Sequence, residues 1–200
     1  MFTGIIRELG TVTRNERRNG VVRLTVQAPK TAAKIAPLES IAVNGVCLSA
    51  VRVERGAMAF EVIPETLRLT ALAGLRPGAR VHVEPSLTLL DRIGGQLLLG
   101  HIDGVGRLIR RTPRSGELAL EIQIAPTLRR FLVPKGPIAV DGVSLTMGER
   151  LGRSSFTVHL IPETMRQTTL GDRPVGSTVN LELDYLTKLI WQFTRSRPAR

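Results

Sequence analysis

The chain has little of several residue types that mark common protein classes. Cys47 is the only cysteine among 200 residues, which excludes an internal disulfide. No apolar run approaches the ~20 residues of a membrane-spanning helix. The first residues lack the basic region and apolar core of a signal peptide. We therefore expect a cytosolic protein with no membrane partner.

Acidic residues are scarce relative to basic ones. Lys and Arg number 28 against 17 Asp and Glu, which gives a net charge of +11, and a basic protein can bind nucleic acid through its phosphates. Aromatic residues make up only 4% of the chain, so few rings are present for bases to stack on. We interpret the charge as a solvated basic surface and expect no nucleic-acid partner, while single-strand binding on a small barrel stays an alternative.

Local catalytic and metal-binding motifs are missing as well. The sequence has no phosphate-binding loop and no cluster with metal-ligand spacing, and its three histidines are far apart. We therefore expect no metal site, and the chemistry has to be sought in another kind of pattern.

What the chain does contain is an internal repeat. Several blocks match between its two halves: residues 43–49 (VNGVCLS) with 140–146 (VDGVSLT), IPET at 63–66 with IPET at 161–164, Gly4 with Gly100, and Gly10 with Gly106. Self-similarity of this kind indicates one fold written twice. The copies differ at a few chemically distinct pairs: Ile5 and His101, Asn44 and Asp141, Cys47 and Ser144, Glu61 and His159, Ser86 and Asp184. Those differences are where function should be sought.

The residue pattern predicts an all-β fold. Residues 21–27 alternate between apolar and polar side chains, which is typical of a half-buried strand, and Asn-Gly at 44–45 and Asp-Gly at 141–142 predict tight hairpin turns. About six short strands per copy favour closure into a small barrel. We predict two tandem six-stranded antiparallel Greek-key β-barrels, over residues 1–96 and 97–184.

Residues 185–200 predict a C-terminal amphipathic helix with a basic tail. Leu186, Leu189, Ile190 and Phe193 fall on one helical face. An apolar stripe outside both barrels needs a partner, and two alternatives stay open. The helix packs back on its own domain, or it packs against the same helix of other subunits.

Several separated motifs resemble the alpha chain of riboflavin synthase. They are MFTGII at 1–6, NGVCLS at 44–49, GG at 94–95, GHIDG at 100–104, DGVSLT at 141–146 and HLIPETM at 159–165. The likeness covers almost the whole chain, and the motifs occur in the family's order within the same duplication. It implies that two molecules of 6,7-dimethyl-8-ribityllumazine react by transfer of a four-carbon unit, giving riboflavin and 5-amino-6-(D-ribitylamino)uracil in the last step of riboflavin biosynthesis.

The resemblance also implies how the protein works as an assembly. The family uses no metal and no redox cofactor, and it is expected to form a homotrimer in which each active site lies between the first barrel of one subunit and the second barrel of a neighbour. Association with lumazine synthase is a further expected partnership. The duplication fits this scheme, because a reaction between two identical flat molecules needs two similar pockets held face to face.

The site residues implied by the resemblance form two sets. The first pocket is expected to be lined by Gly4, Ile5, Ile6, Cys47, Leu48, Ser49, Glu61, Val62, Ile63, Pro64, Glu65 and Thr66. The second is expected to be lined by Gly100, His101, Ile102, Lys135, Ser144, Leu145, Thr146, His159, Leu160, Ile161, Pro162, Glu163 and Thr164. Glycine at positions 4 and 100 would let the main chain approach a flat ring closely.

The reaction needs a proton removed from the 7-methyl group of one lumazine and a nucleophile added at C7 of the other. Our hypothesis is that Ser144, or a water that it holds, adds at C7, while His101, Thr146 or Cys47 assists proton transfer. Asp184 resembles the family's acidic residue at the end of the second barrel and joins the catalytic candidates.

Ordinary structural roles stay open for most of these residues. Cys47 is alternatively a buried small hydrophobe, His101 a turn residue, Lys135 a solvated surface lysine and Asp184 a helix cap. The family pattern also fails in two places, since Ser49 replaces the usual threonine and residues 96–99 are unusually apolar. A non-catalytic lumazine-binding protein of the same superfamily is therefore the rival interpretation.

Overall fold

The computed structural model describes residues 1–18 and 20–195, and its first half is a closed barrel. The strands are β1 (Glu8–Arg18), β2 (Val21–Gln27), β3 (Ser40–Val43), β4 (Val46–Glu54), β5 (Ala57–Val62) and β6 (Arg80–Pro85). They pair in the antiparallel order β1-β2-β5-β4-β3-β6. Because β6 returns to lie beside β3 after the run β3-β4-β5, the connection is a Greek key. The helices are α1 (Pro29–Ala32), α2 (Pro64–Leu69) and a 3-10 turn at Ala71–Gly74.

The second half repeats this arrangement. Its strands are β7 (Gly104–Arg114), β8 (Glu117–Gln123), β9 (Pro137–Val140), β10 (Val143–Thr146), β11 (Ser155–Leu160) and β12 (Thr178–Leu183). The order is β10-β9-β12-β7-β8-β11, and the two end strands meet through the single bridge between Met147 and Val158. The helical segments are 3-10 turns at Pro126–Phe131 and Thr169–Gly171, α3 (Pro162–Gln167) and α4 (Tyr185–Arg195). The predicted duplicated all-β fold is confirmed.

The hairpin turns that the sequence predicted lie at the boundary between the two barrels. Asn44 and Gly45 have φ values of +46° and +79°, and Asp141 and Gly142 have +47° and +78°, as a tight primed turn requires. A Cβ added to Gly45 would lie 2.6 Å from the backbone nitrogen of Gly142. The two turns therefore meet on the approximate two-fold axis that relates the copies.

Each barrel has its own apolar core, because alternate residues of every strand point inward. The rings of Phe60 and Phe156, at different positions of the matching strands β5 and β11, are fully buried in the first and second core. A small third cluster joins the barrels and consists of Phe2, Ala42, Leu98 and Ala139.

A buried polar network also joins the barrels, with one half centred on His82 and the other on the equivalent Asn180. The backbone N–H of Thr169 donates to His82 Nε2 at 2.9 Å, so Nδ1 carries the proton and donates to the carbonyl of Asp141 at 2.7 Å. Asn180 repeats the pattern, because its Nδ2 donates to the carbonyl of Asn44 at 2.9 Å and its Oδ1 accepts from the N–H of Ala71 at 2.7 Å. One imidazole and one amide thus make the same pair of bonds.

Helix α4 leaves its apolar stripe exposed. The ring of Trp191 packs at 5.0 Å from Phe131 of the second barrel, whereas Leu186, Ile190 and Phe193 are 61%, 65% and 70% exposed. The alternative in which the stripe packs on its own domain is therefore wrong for these three residues. The basic tail at 196–200 lies outside the described residues. No helix in the described part of the chain, α4 included, is long and apolar enough to span a membrane.

Candidate functional site

The first residues of each copy form a leading segment that crosses to the other barrel. We define these as residues 2–6 and 98–102. Phe2 and Leu98 pair antiparallel, with N···O distances of 2.8 and 3.0 Å. Ile6 consequently packs against the core of the second barrel and Ile102 against the core of the first. The two segments are exchanged between the barrels.

A glycine in each leading segment touches a candidate catalytic residue. The carbonyl of Gly4 accepts from the N–H of Ser144 at 2.9 Å, and the carbonyl of Gly100 accepts from the N–H of Cys47 at 3.0 Å. Both glycines have positive φ, and an added Cβ would lie 2.6 Å from Ser144 Cβ or 2.5 Å from Cys47 Cβ. Glycine is required at both positions because no side chain fits there.

The backbone contacts of the leading segments differ from the predicted grouping of the two pockets. The prediction placed Gly4, Ile5 and Ile6 with Cys47, and Gly100, His101 and Ile102 with Ser144, following sequence order. The structure brings 4–6 to Ser144 and 100–102 to Cys47 instead. Phe2 pairs with Leu98, and each segment lies between the two barrels and contacts both of them.

The outer surface of the first barrel carries one part of the predicted site. Cys47 and Ser49 on β4 and Glu61 on β5 lie on the outward side of their strands, while Leu48 and Val62 point into the core. Only the main chain of Leu48 and Val62 can therefore face a ligand. Residues 63–65 are exposed and Thr66 is partly buried where α2 begins.

The second barrel presents the matching face. Ser144, Thr146 and His159 point outward, whereas Leu145 and Leu160 are buried in the core. Residues 161–163 are exposed and Thr164 is partly buried at the start of α3. Cys47 and Ser144 therefore occupy equivalent outward positions in the two copies. Glu61 and His159 do so as well.

Each barrel has an outer cleft that reaches Glu61 or His159 but is not lined by Cys47, Ser49, Ser144 or Thr146. A cleft of about 610 Å³ on the first barrel is bordered by Val51, Ala59 and Glu61, and one of about 570 Å³ on the second by Gly148, Thr157 and His159. The surroundings differ in charge, because Glu61 pairs with Arg23 at 3.1 Å while His159 Nδ1 lies 3.3 Å from Glu117. The copies have the same shape but different polar groups.

The hydroxyl group of Ser144 has a fixed partner that the sequence did not reveal. It donates to Oε1 of Gln96 at 3.0 Å, and Gln96 is only 8% exposed. A Cβ added to Gly95 would lie 2.2 Å from the carbonyl oxygen of Thr3 and 3.0 Å from Ser144 Oγ. In the sequence Gln96 belongs to the stretch 96–99 that departs from the family pattern, and its contact with Ser144 depends on the crossing of the leading segment, which sequence spacing does not show.

The remaining candidates lie in more ordinary surroundings. His101 and Thr146 are exposed, and Cys47 is partly buried beneath Gly100. Lys135 pairs with the exposed Glu149 at 2.6 Å. Asp184 caps α4, because its Oδ1 accepts from both the N–H and the hydroxyl of Thr187 at 2.8 Å.

Two exposed glutamates in the predicted pockets are held by neighbours in their own helices. The side-chain hydrogen bond from Arg68 holds the pKa of Glu65 below its usual value, and hydrogen bonds from Gln167 and Arg166 do the same for Glu163. Both groups are therefore ionised near neutral pH. Among residues 1–18 and 20–195, no group of three or more His, Cys, Asp or Glu side chains could hold a metal ion.

Residues 3–86 and 99–184 each match the lumazine binding domain. The chain is also 42% identical to riboflavin synthase from Mycobacterium tuberculosis over 200 residues, which cover 98% of this chain and 99% of that protein. The chain belongs to the riboflavin synthase family. The Bacillus subtilis riboflavin synthase is 35% identical over 96% of this chain and 89% of its own length.

Solved structures show the same architecture as this member of the riboflavin synthase family. The crystal structure of LumP complexed with riboflavin superposes with a TM-score of 0.85 at 24% identity, covering 92% of this chain and 99% of that one. LumP complexed with 6,7-dimethyl-8-(1'-D-ribityl) lumazine gives a TM-score of 0.82 at the same identity. At this identity the likeness establishes the duplicated barrel fold and nothing more.

Proposed function

We propose that this chain is a riboflavin synthase that converts two molecules of 6,7-dimethyl-8-ribityllumazine into riboflavin and 5-amino-6-(D-ribitylamino)uracil. The observation that carries the proposal is the full-length match to riboflavin synthases, in a chain whose two barrels present equivalent outer faces. A reaction between two identical heterocycles needs two such faces, because holding both molecules replaces a costly encounter in solution.

The test uses the purified chain with 6,7-dimethyl-8-ribityllumazine in plain buffer. Riboflavin formation without an added metal or cofactor supports the proposal. Tight lumazine binding without turnover would instead identify a non-catalytic lumazine-binding protein, and absence of both binding and product would overturn lumazine chemistry altogether.

The residue roles in this reaction are part of the proposal. Ser144 donates its hydroxyl proton to the amide oxygen of Gln96, so its own oxygen can accept a hydrogen bond from a water that adds at C7. Direct addition of the Ser144 oxygen requires its proton to pass to a group other than Gln96, because an amide is not a base. Thr146 lies on the same outward side of β10 as Ser144, and His101 follows the glycine that covers Cys47; these positions support a role for each in proton transfer. Asp184 is engaged as a cap, and its catalytic role stays a prediction.

The trimer and its shared active site are a further part of the proposal. The exposed stripe of Leu186, Ile190 and Phe193 supports association through α4, since an apolar helix face of this kind is stabilised by burial against a partner. Association would bring the first barrel of one subunit to the second barrel of the next. Cytosolic location, association with lumazine synthase and the absence of a nucleic-acid partner stay predictions.

A further inference from the structure

The last strand of each barrel carries a buried glutamate that holds the leading segment of its own copy. Glu84 on β6 accepts from the N–H of Thr3 at 2.7 Å and of Gly4 at 3.0 Å. Glu182 on β12 is its equivalent and accepts from the N–H of Leu99 at 2.7 Å and of Gly100 at 3.1 Å. The two glutamates are 4% and 3% exposed, so these bonds are shielded from water.

Gly4 and Gly100 each form a hydrogen bond to a buried glutamate and another to a candidate catalytic residue. The Gly4 residue donates its N–H to Glu84 and accepts at its carbonyl from the N–H of Ser144 at 2.9 Å. Gly100 donates to Glu182 and accepts from the N–H of Cys47 at 3.0 Å. One residue therefore separates each carboxylate from a candidate catalytic residue, and each relay runs from one barrel to the site face of the other.

We propose that Glu84 and Glu182 are positioning residues that act across the barrel boundary, Glu84 on the face around Ser144 and Glu182 on the face around Cys47. Neither residue was expected from the sequence. The kinetic consequences of this proposal rest on the proposed function, whereas the geometric coupling does not.

A carboxylate suits this task better than any other side chain. Its two oxygens can each accept from one of the two successive N–H groups of a segment in the left-handed conformation, whereas a glutamine would offer one acceptor and one donor and leave an N–H unsatisfied. Burial raises the pKa of Glu182 to about 7 and also raises the pKa of Glu84, against the opposing effect of these hydrogen bonds. Burying a carboxyl group here is unfavourable, and the segment that it holds explains its presence.

The two relays differ in strength. The hydroxyl group of Thr3 also donates to Glu84 at 2.8 Å, which gives that carboxylate three bonds to its segment. Leu99 stands at the equivalent place and has no hydroxyl, so Glu182 holds its segment by two bonds. We expect the Glu182 relay to open more readily when it is perturbed.

The test measures amide hydrogen exchange at Cys47 and Ser144 in the full chain. In Glu182→Gln, exchange at Cys47 should accelerate about tenfold or more while exchange at Ser144 stays unchanged, because a charged hydrogen bond is lost on that relay alone. In Glu84→Gln the pattern should reverse. Glu54→Gln, which alters an exposed glutamate paired with Arg52 in the same barrel, is the matched control and should change neither amide.

The crossed pattern is what a general loss of stability cannot produce. The proposal is wrong if exchange accelerates at both amides in either variant. It is also wrong if each variant accelerates exchange only in the barrel that contains its own glutamate. Riboflavin formation is measured on the same samples, and both Gln variants should lose at least tenfold in kcat. A wild-type chain that makes no riboflavin would overturn the proposed function, and the exchange pattern would still decide the positioning roles.

Discussion

Replacing His82 by asparagine should change how the stability of this protein responds to pH. Asparagine at the equivalent position 180 already makes the same two bonds, so His82→Asn keeps a donor for the carbonyl of Asp141 and an acceptor for the N–H of Thr169. At pH 7.5 we expect a loss of about 1–2 kcal/mol in the free energy of unfolding, because the amide fills less of the buried space than the ring does.

The effect of acid follows from the burial of the imidazole. Burial, above all, lowers the pKa of His82 to about 4, and the nearby Arg173 and Arg80 act in the same direction, while the bond to Asp141 opposes them. The unfolded chain binds this proton below its ordinary pKa of about 6.5, so acid favours unfolding. Stability from this group is complete above pH 6.5 and is lost as the pH falls toward 4. At pH 5 the loss is about 2 kcal/mol.

The assay is urea unfolding of wild type and His82→Asn at pH 7.5 and pH 5, at one fixed protein concentration. The advantage of the wild type, about 1–2 kcal/mol at pH 7.5, should fall by about 2 kcal/mol at pH 5 and therefore vanish or change sign. Burial also raises the pKa of Asp141 to about 6 and of Glu182 to about 7, which makes stability fall as the pH rises through those values. Both groups are present in each protein, so their contributions cancel in the difference.

A matched control separates the buried imidazole from histidines in general. His101→Asn alters an exposed histidine and is unfolded alongside at both pH values. If the difference in the free energy of unfolding between wild type and His82→Asn is the same at pH 7.5 and pH 5 within about 0.5 kcal/mol, the imidazole between the barrels is not buried and neutral.

Three further predictions concern the site and the assembly. Ser144→Ala should lower kcat by at least tenfold with little change in lumazine affinity, and unchanged turnover would remove its hydroxyl from the mechanism. Gly100→Ala should lower the free energy of unfolding by at least about 2 kcal/mol more than Gly116→Ala does, as measured by urea unfolding. Both glycines have positive φ, but only at Gly100 would the new Cβ collide with Cys47. Phe193→Asp should lower the mass found by sedimentation and the activity together, and an unchanged mass would exclude α4 from the subunit contact.

The strands and turns could be predicted from the sequence because their signals are local. Alternation along residues 21–27 and the Asn-Gly and Asp-Gly turns depend only on neighbours in the chain, and the structure has strands and primed turns there. The duplication extended each of these predictions to the other half. The outward positions of Cys47 and Ser144 follow from the same period of two.

The exchange of the leading segments could not be predicted in this way. It depends on the pairing of Phe2 with Leu98, and a period of two says which side chains share a face but not which strand lies beside them. Sequence order therefore groups Gly4 with Cys47 and Gly100 with Ser144, whereas the backbone contacts join Gly4 to Ser144 and Gly100 to Cys47. Glu84 and Glu182 were missed for the same reason, since each looks like an ordinary strand carboxylate until the segment that it holds is placed over it.

The duplication explains why the two halves share backbone contacts at the site while the side chains there differ. The backbone relays from Glu84 through Gly4 and from Glu182 through Gly100 are alike within a few tenths of an ångström. What differs is the group at the end of each relay, a hydroxyl bonded to Gln96 in one half and a thiol in the other. Two identical lumazines held on such faces meet the same scaffold but different chemistry, which is what a reaction needs when one molecule must give carbon and the other must accept it.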